Sequence, residues 1–188
     1  MRDMKKNQMV PIASAVILAI LCVFFIANFF FESRVDIITV ITHDLSTLTK
    51  IFEAIDSTCG IMSFDQQKSV INFLNTVSFA GSEVGPMNLR DPKKWKGPYL
   101  ADNPTIQGKE YQVVRTVKGH FITPGDGVKL PSGKVIGKDI KLDEHADIAL
   151  MMHQKDVLLF NNQSLAAPLV LSGISGAMTM DDDGDYCC

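Results

Sequence analysis

The hydrophobic pattern of the chain changes character twice. From Met9 to Phe31 it reads "MVPIASAVILAILCVFFIANFFF" without one charged residue. At about 1.5 Å per helical residue such a run exceeds a hydrocarbon core of roughly 30 Å, so it predicts a transmembrane helix. Ile38, Ile41, Leu45, Leu48, Phe52 and Ile55 then recur at alternating steps of three and four, the spacing of a narrow apolar seam on a helix. No proline or glycine lies between Pro11 and Gly60. The predicted helix therefore continues from the membrane into an outer domain and stops at Gly60. Ser63 with Gln66 has the form of a capping box, which predicts a second helix with Phe64, Val70, Ile71, Phe73, Leu74 and Val77 on its apolar face.

From Gly81 onward the apolar positions come in short β-prone runs between prolines and glycines. "EYQVVRTV" from Glu110 to Val117 and "HFIT" from His120 flank the turn candidate Lys118-Gly119, and this reads as a hairpin. "VKLPSGKVIG" reads as a second hairpin with Pro131-Ser132-Gly133 at its tip. The expected fold class is α+β: a long N-terminal membrane-spanning helix continuing into the outer domain, a second helix, and a small antiparallel sheet whose apolar face a helix must cover.

Charge orients this arrangement. Arg2, Lys5 and Lys6 precede the apolar run against Asp3 alone, which predicts a cytoplasmic N-terminus and an exported remainder. The expected organisation is a basic leader over 1–8, a transmembrane helix over 9–31, an outer domain over 32–180 with helices in 32–79 and loop and sheet in 80–180, and an acidic tail over 181–188. A cleaved signal peptide fits less well, since "ANFFFES" places phenylalanines where a cleavage site needs small side chains. Leu21 before Cys22 likewise departs from a lipoprotein site, and Cys22 reads as a small buried hydrophobe. Net charge is -3 and the exported part is more acidic still, so nucleic acid is not an expected partner. Cys59, Cys187 and Cys188 are disulfide candidates on the exported side, with pairing open and one left over.

The only tryptophan lies in "DPKKWKGPYLADNP", from Asp91 to Pro104. In physical terms Trp95 reads as a loop anchor, with Gly97-Pro98 setting the bend before Tyr99 and Leu100. A membrane-borne N-terminal helix, a second helix, the "WKGPYL" run at Trp95 to Leu100 and a small sheet together resemble the major pseudopilin of type II secretion, a type IV pilin-like family. The resemblance implies a pilin-like fold and a bacterial inner-membrane protein, single-pass, with its C-terminal domain in the periplasm. It also implies self-association through the N-terminal helix and contacts with other secretion or envelope proteins. Two positions depart from the family pattern: Gln8 stands where the leader ends in Gly, and Ala13 where the mature chain carries Glu.

That family holds calcium in a loop near the C-terminus, so the resemblance makes Asp126 and Asp139, in the glycine-rich region that would correspond, candidate ligands, oxygen donors of the kind a hard cation takes. Asp181, Asp183 and Asp185 alternate in the tail but lack the distal Glu of a calcium loop, and read as a solvated acidic segment. His43, His120, His145 and His153 show no zinc spacing, and "SGISG" is not a nucleophile elbow, so an enzyme is not expected. Two functions stay open: a pilin-like assembly subunit anchored in the membrane, with Ile38, Ile41, Leu45 and Leu48 as its assembly seam, or a non-polymerising envelope protein whose outer domain binds a protein partner. For the seam itself, packing in the parent domain and packing between subunits are both open, the latter expected for its N-terminal part.

Overall fold

The structure is a computed structural model that describes residues 6–174, with side chains at 15–26 and 37–173. The first five leader residues and the whole acidic tail, Cys187 and Cys188 included, lie outside the described residues. The chain divides into two compact units, Met1–Ile37 and Ile38–Cys188. Helix α1 is assigned from Lys6 to Cys59.

In the first unit the described side chains from 15 to 26 are all exposed, with Val16, Leu18, Leu21 and Phe25 between 53% and 78% accessible. Among the described residues no helix is long and apolar enough to cross a membrane. This finding overturns the expected span over 9–31. With it goes the single-pass inner-membrane location with cytoplasmic N-terminus and periplasmic domain. Cys22, expected to be buried, is exposed.

The second unit is α+β, but not by the expected route. The helix expected to start at Ser63 does not form. The chain instead runs through β1 (Ile61–Phe64), β2 (Lys68–Val70), β3 (Glu83–Val84), β4 (Met87–Leu89), β5 (Thr105–Ile106), β6 (Lys109–Thr116) and β7 (Gly119–Pro124). A one-turn helix α2 (Ile148–Met151) and strands β8 (Leu159–Phe160), β9 (Gln163–Ser164) and β10 (Ala167–Leu169) complete it. The strands form a three-stranded sheet β1-β4-β3, a five-stranded sheet β10-β7-β6-β2 with β5 also on β6, and the pair β8-β9.

The second helix fails for a physical reason. Val70 and Val77 are 40% and 68% exposed while Phe64, Ile71, Phe73 and Leu74 are buried, so the expected apolar face is not buried as one surface. Backbone pairing with β6 satisfies the segment instead: Ser69 lies opposite Val113, Ile71 N–H donates to the Tyr111 carbonyl at 2.8 Å, and Arg115 N–H donates to the Gln67 carbonyl at 2.8 Å. The β6–β7 hairpin is the longest pairing, running from Tyr111 opposite Pro124 to Thr116 opposite Gly119. Gly119 takes φ 121° at its tight turn, open to glycine and strained for other residues. The run from Val128 to Gly137 folds back at Pro131-Ser132-Gly133 as the expected second hairpin in minimal form, with Lys129 bridging Val135 antiparallel and Leu130 and Ile136 N–H donating to the Lys134 and Val128 carbonyls at 2.8 and 3.0 Å.

The seam of α1 is the spine of this unit's core. Ile38, Ile41, Leu45, Leu48, Phe52, Ile55 and Cys59 are all buried, and Phe52 meets Phe64 and Phe73 edge-on at 6.1 and 6.3 Å. The expectation that the N-terminal part of the seam lies between copies fails, since Ile38 and Ile41 are 4% and 0% exposed within their own unit. Two carboxylates tie the helix to distant chain. Tyr111, fully buried on β6, donates its hydroxyl to Asp44 Oδ2 at 2.9 Å. Burial, with Asp44 beside it, holds the Tyr111 phenol well above its ordinary pKa. Asp56 accepts from Ile61 N–H at 2.8 Å through Oδ1 and from Ser172 N–H at 2.7 Å through Oδ2.

Two predictions follow from this packing. Charged acceptors in hydrogen bonds contribute roughly 1.5–3 kcal/mol each, so Asp56→Ala should lower stability in urea unfolding by about 2–4 kcal/mol, and Asp56→Asn, which keeps one acceptor, by about half as much. A change within ~0.5 kcal/mol for the alanine variant would remove Asp56 from the account. The second concerns His120, buried on β7 against the Phe64 ring at 5.7 Å. Burial, and then the charge of Arg115, lower its pKa below the ordinary imidazole value. The folded state therefore binds fewer protons there than the unfolded chain, so stability should be full above about pH 6.5 and fall as pH drops toward the depressed folded value. His120→Gln should flatten that limb of a stability-against-pH curve; an unchanged slope would show that another group controls it.

Candidate interaction site

The segment that carries the tryptophan is held without a strand ladder. A single 3-10 turn, Pro92–Lys94, starts it, with Trp95 N–H donating to the Pro92 carbonyl at 3.1 Å. Trp95 is half-buried; its Nε1–H donates to the Thr76 carbonyl at 3.1 Å, and its ring meets Phe79 edge-on at 5.4 Å and Tyr99 at 4.8 Å. Tyr99 and Leu100 N–H both donate to the Leu74 carbonyl, at 2.8 and 3.3 Å, and Asn103 Oδ1 accepts from Leu74 N–H at 3.1 Å. The loop is thus fastened to the irregular segment after β2, where a helix had been expected. Gly97 is required for this closure. A Cβ there would sit 2.3 Å from Trp95 Nε1 and 2.4 Å from the Thr76 carbonyl oxygen.

Anchoring Trp95 on one side leaves its flanking lysines displayed on the other. Lys93, Lys94 and Lys96 are exposed, and with Ser57, Thr58 and Trp95 they line an open groove of about 520 Å³. Lys94 pairs with Asp91 at 3.0 Å, while Lys93 and Lys96 have no ion-pair partner among the described residues. Ser57 and Thr58, on α1's last turn, donate their hydroxyls back to the Ala54 carbonyl at 2.9 and 2.8 Å. The arrangement is an aromatic floor with mobile-headed cations above it, suited to an anionic chain rather than to a small molecule needing enclosure.

The other residues marked by the sequence are dispersed. Asp126 is engaged by Lys68 Nζ at 2.8 Å and by Gln112 Nε2 at 3.4 Å. Asp139 closes its own turn, accepting from Val135 N–H at 2.9 Å. A lysine thus already sits on the Asp126 carboxylate, and one oxygen of Asp139 is turned onto backbone. Among the described residues no group of three His, Cys, Asp or Glu could hold a metal ion. Cys59 is buried at the end of α1, its Sγ 3.6 Å from Thr58 Oγ1. Its candidate disulfide partners lie outside the described residues. His43 is exposed, 3.6 Å from Asp44. Sequence reasoning missed Thr76, Phe79, Ser57 and Thr58, since none of them carries a signal of its own and each matters only through what the fold brings beside it.

Gly97→Ala should push the indole off the Thr76 carbonyl. The expected result is a loss of about 1–3 kcal/mol, the usual cost of overpacking, together with a red shift of the single tryptophan's emission. An unshifted spectrum with unchanged stability would mean that the close approach at Gly97 does not hold the loop.

No protein-family model matches the chain, and neither a curated protein nor a solved structure matches it.

Proposed function

We propose that the chain is a pilin-like assembly subunit, whose N-terminal helical segment packs against the same segment of other copies. The observation that carries this reading is the apolar surface of the first unit. Val16, Ile17, Leu18, Ile20, Leu21, Val23, Phe25 and Ile26 are each more than half exposed. At about 100° per residue they are distributed around the whole helix rather than along one face. A helix apolar on every side is stable only when neighbours surround it. Copies of the same helix supply apolar neighbours on all sides at once, which a single binding partner with one groove does not.

The resemblance of Trp95-x-Gly97-Pro98-Tyr99-Leu100 to the corresponding run of major pseudopilins is consistent with this reading. The contact proposed here lies N-terminal to the seam at Ile38, Ile41, Leu45 and Leu48, whose apolar area is already used within the chain's own core. A second reading, a non-polymerising protein that binds a protein partner, has the open lysine groove in its favour.

The two readings separate by crosslinking. A photo-crosslinking side chain placed at Leu18, Leu21 or Phe25 of the full chain should give ladders of crosslinked copies. Leu21→Asp should abolish the ladder, because it sets an unpaired charge in a dry contact. A full-length protein that stays one chain in hydrodynamic size, with no ladder from any of the three positions, would favour the second reading.

A further inference from the structure

We propose that the lysine groove is the docking site for the chain's own acidic tail, "DDDGD" from Asp181 to Asp185. The first support is where the described chain ends. Ser172 N–H is held by Asp56, and the 3-10 turn Ser172–Ile174 lies against β1. A Cβ built on Gly173 would sit 2.5 Å from the Ile61 carbonyl oxygen and 3.5 Å from an Arg90 guanidinium nitrogen. The chain therefore leaves the described fold beside Arg90, whose N–H is bonded to the Gly60 carbonyl.

Reach is the second support. Arg90 precedes Lys93 by three residues, at most about 11 Å of backbone, and Asp181 follows Ile174 by seven residues, up to roughly 25 Å of extended chain. The acidic run can reach the lysines with slack to spare. A short tether also raises the local concentration of the tail at the groove above anything a separate acidic peptide would attain.

Charge is the third. Among the described residues Lys93 and Lys96 face solvent without a carboxylate partner, and the groove's acidic neighbour, Asp91, is taken by Lys94. Asp181, Asp182, Asp183 and Asp185 place four carboxylates in five residues. Ser57, Thr58 and the Trp95 ring give the backbone of a docked strand polar and apolar surface between the charges. Docking in cis would cover Trp95 and the end of α1 and keep an acidic partner from the groove until the tail is displaced.

The test is lysine reactivity in the full-length protein. Amine acetylation read by mass spectrometry should modify Lys93 and Lys96 about threefold more slowly in the parent than in the triple variant Asp181→Asn, Asp182→Asn, Asp183→Asn, the scale of one or two exposed ion pairs. The protection should vanish near 1 M salt, where the Debye length is about 3 Å. Lys68, engaged by Asp126, is the internal reference and should not change. Equal rates in parent and variant at low salt, with tryptophan emission showing both folded, would overturn the proposal. Carbodiimide coupling in a mixture of isotopically light and heavy protein decides the geometry. Crosslinks from the tail to Lys93 or Lys96 within one isotope class support docking in cis, and mixed-class crosslinks would replace the intramolecular site with a contact between copies.

Discussion

The carboxylate of Asp56 is the constraint on which the second unit depends. It sits near the C-terminal end of α1, where the helix dipole disfavours a negative charge by roughly 0.3–1 kcal/mol. Two charge-assisted bonds, to Ile61 N–H and Ser172 N–H, outweigh that cost, at about 1.5–3 kcal/mol each. One bond turns the chain sharply out of the helix into β1 through Gly60, whose φ of 66° suits glycine. The other fixes the last described turn to the same point, closing a loop of 116 residues. Helix end, first strand and C-terminal segment thus share one acceptor.

A second tie, from Tyr111 to Asp44, works from the other side of the core. It places a hydroxyl bond at the end of a fully buried residue of β6, so this inner strand of the larger sheet cannot slide along α1 without leaving a buried phenol unpaired. Between the two ties the seam of α1 meets β1 and the segment after β2 through Phe52, Phe64 and Phe73. The aromatic loop is hung outside this framework on carbonyls of Leu74 and Thr76, which explains how it can show lysines to solvent while its tryptophan stays anchored.

Much of the core was readable in the sequence and much of the rest was not, for definable reasons. The seam from Ile38 to Ile55 is legible because one face of a helix repeats at three and four, and nothing else in that stretch competes. The β6–β7 hairpin is legible because a β-branched run meets a glycine turn. The segment after Gly60 misleads, since Phe64, Ile71 and Leu74 fit a helical face locally while distant chain claims their backbone: Phe64 pairs with β4, Ile71 bonds to β6 some forty residues further on, and Leu74 bonds to Tyr99 and Asn103. The tryptophan motif announces an anchored loop but not its acceptor, because Thr76 is recognised through a carbonyl that every residue possesses. Asp56 is illegible for the same kind of reason: one partner lies five residues away and the other 116, and an aspartate near a helix end otherwise reads as solvated. The apolar run at the N-terminus is plain in composition, yet hydropathy alone does not say what surrounds it.

Strand β10 carries Pro168 at its centre, opposite Phe121, on the outer side of the larger sheet. A proline has no amide hydrogen, so the outward rim of this strand lacks a donor where an incoming strand would need one. At the opposite border β2 is three residues long and bears Lys68. Both margins of the sheet are therefore poor templates for strand addition. Blunted borders on both sides of the sheet deny amyloid-like stacking of one copy on another a place to begin.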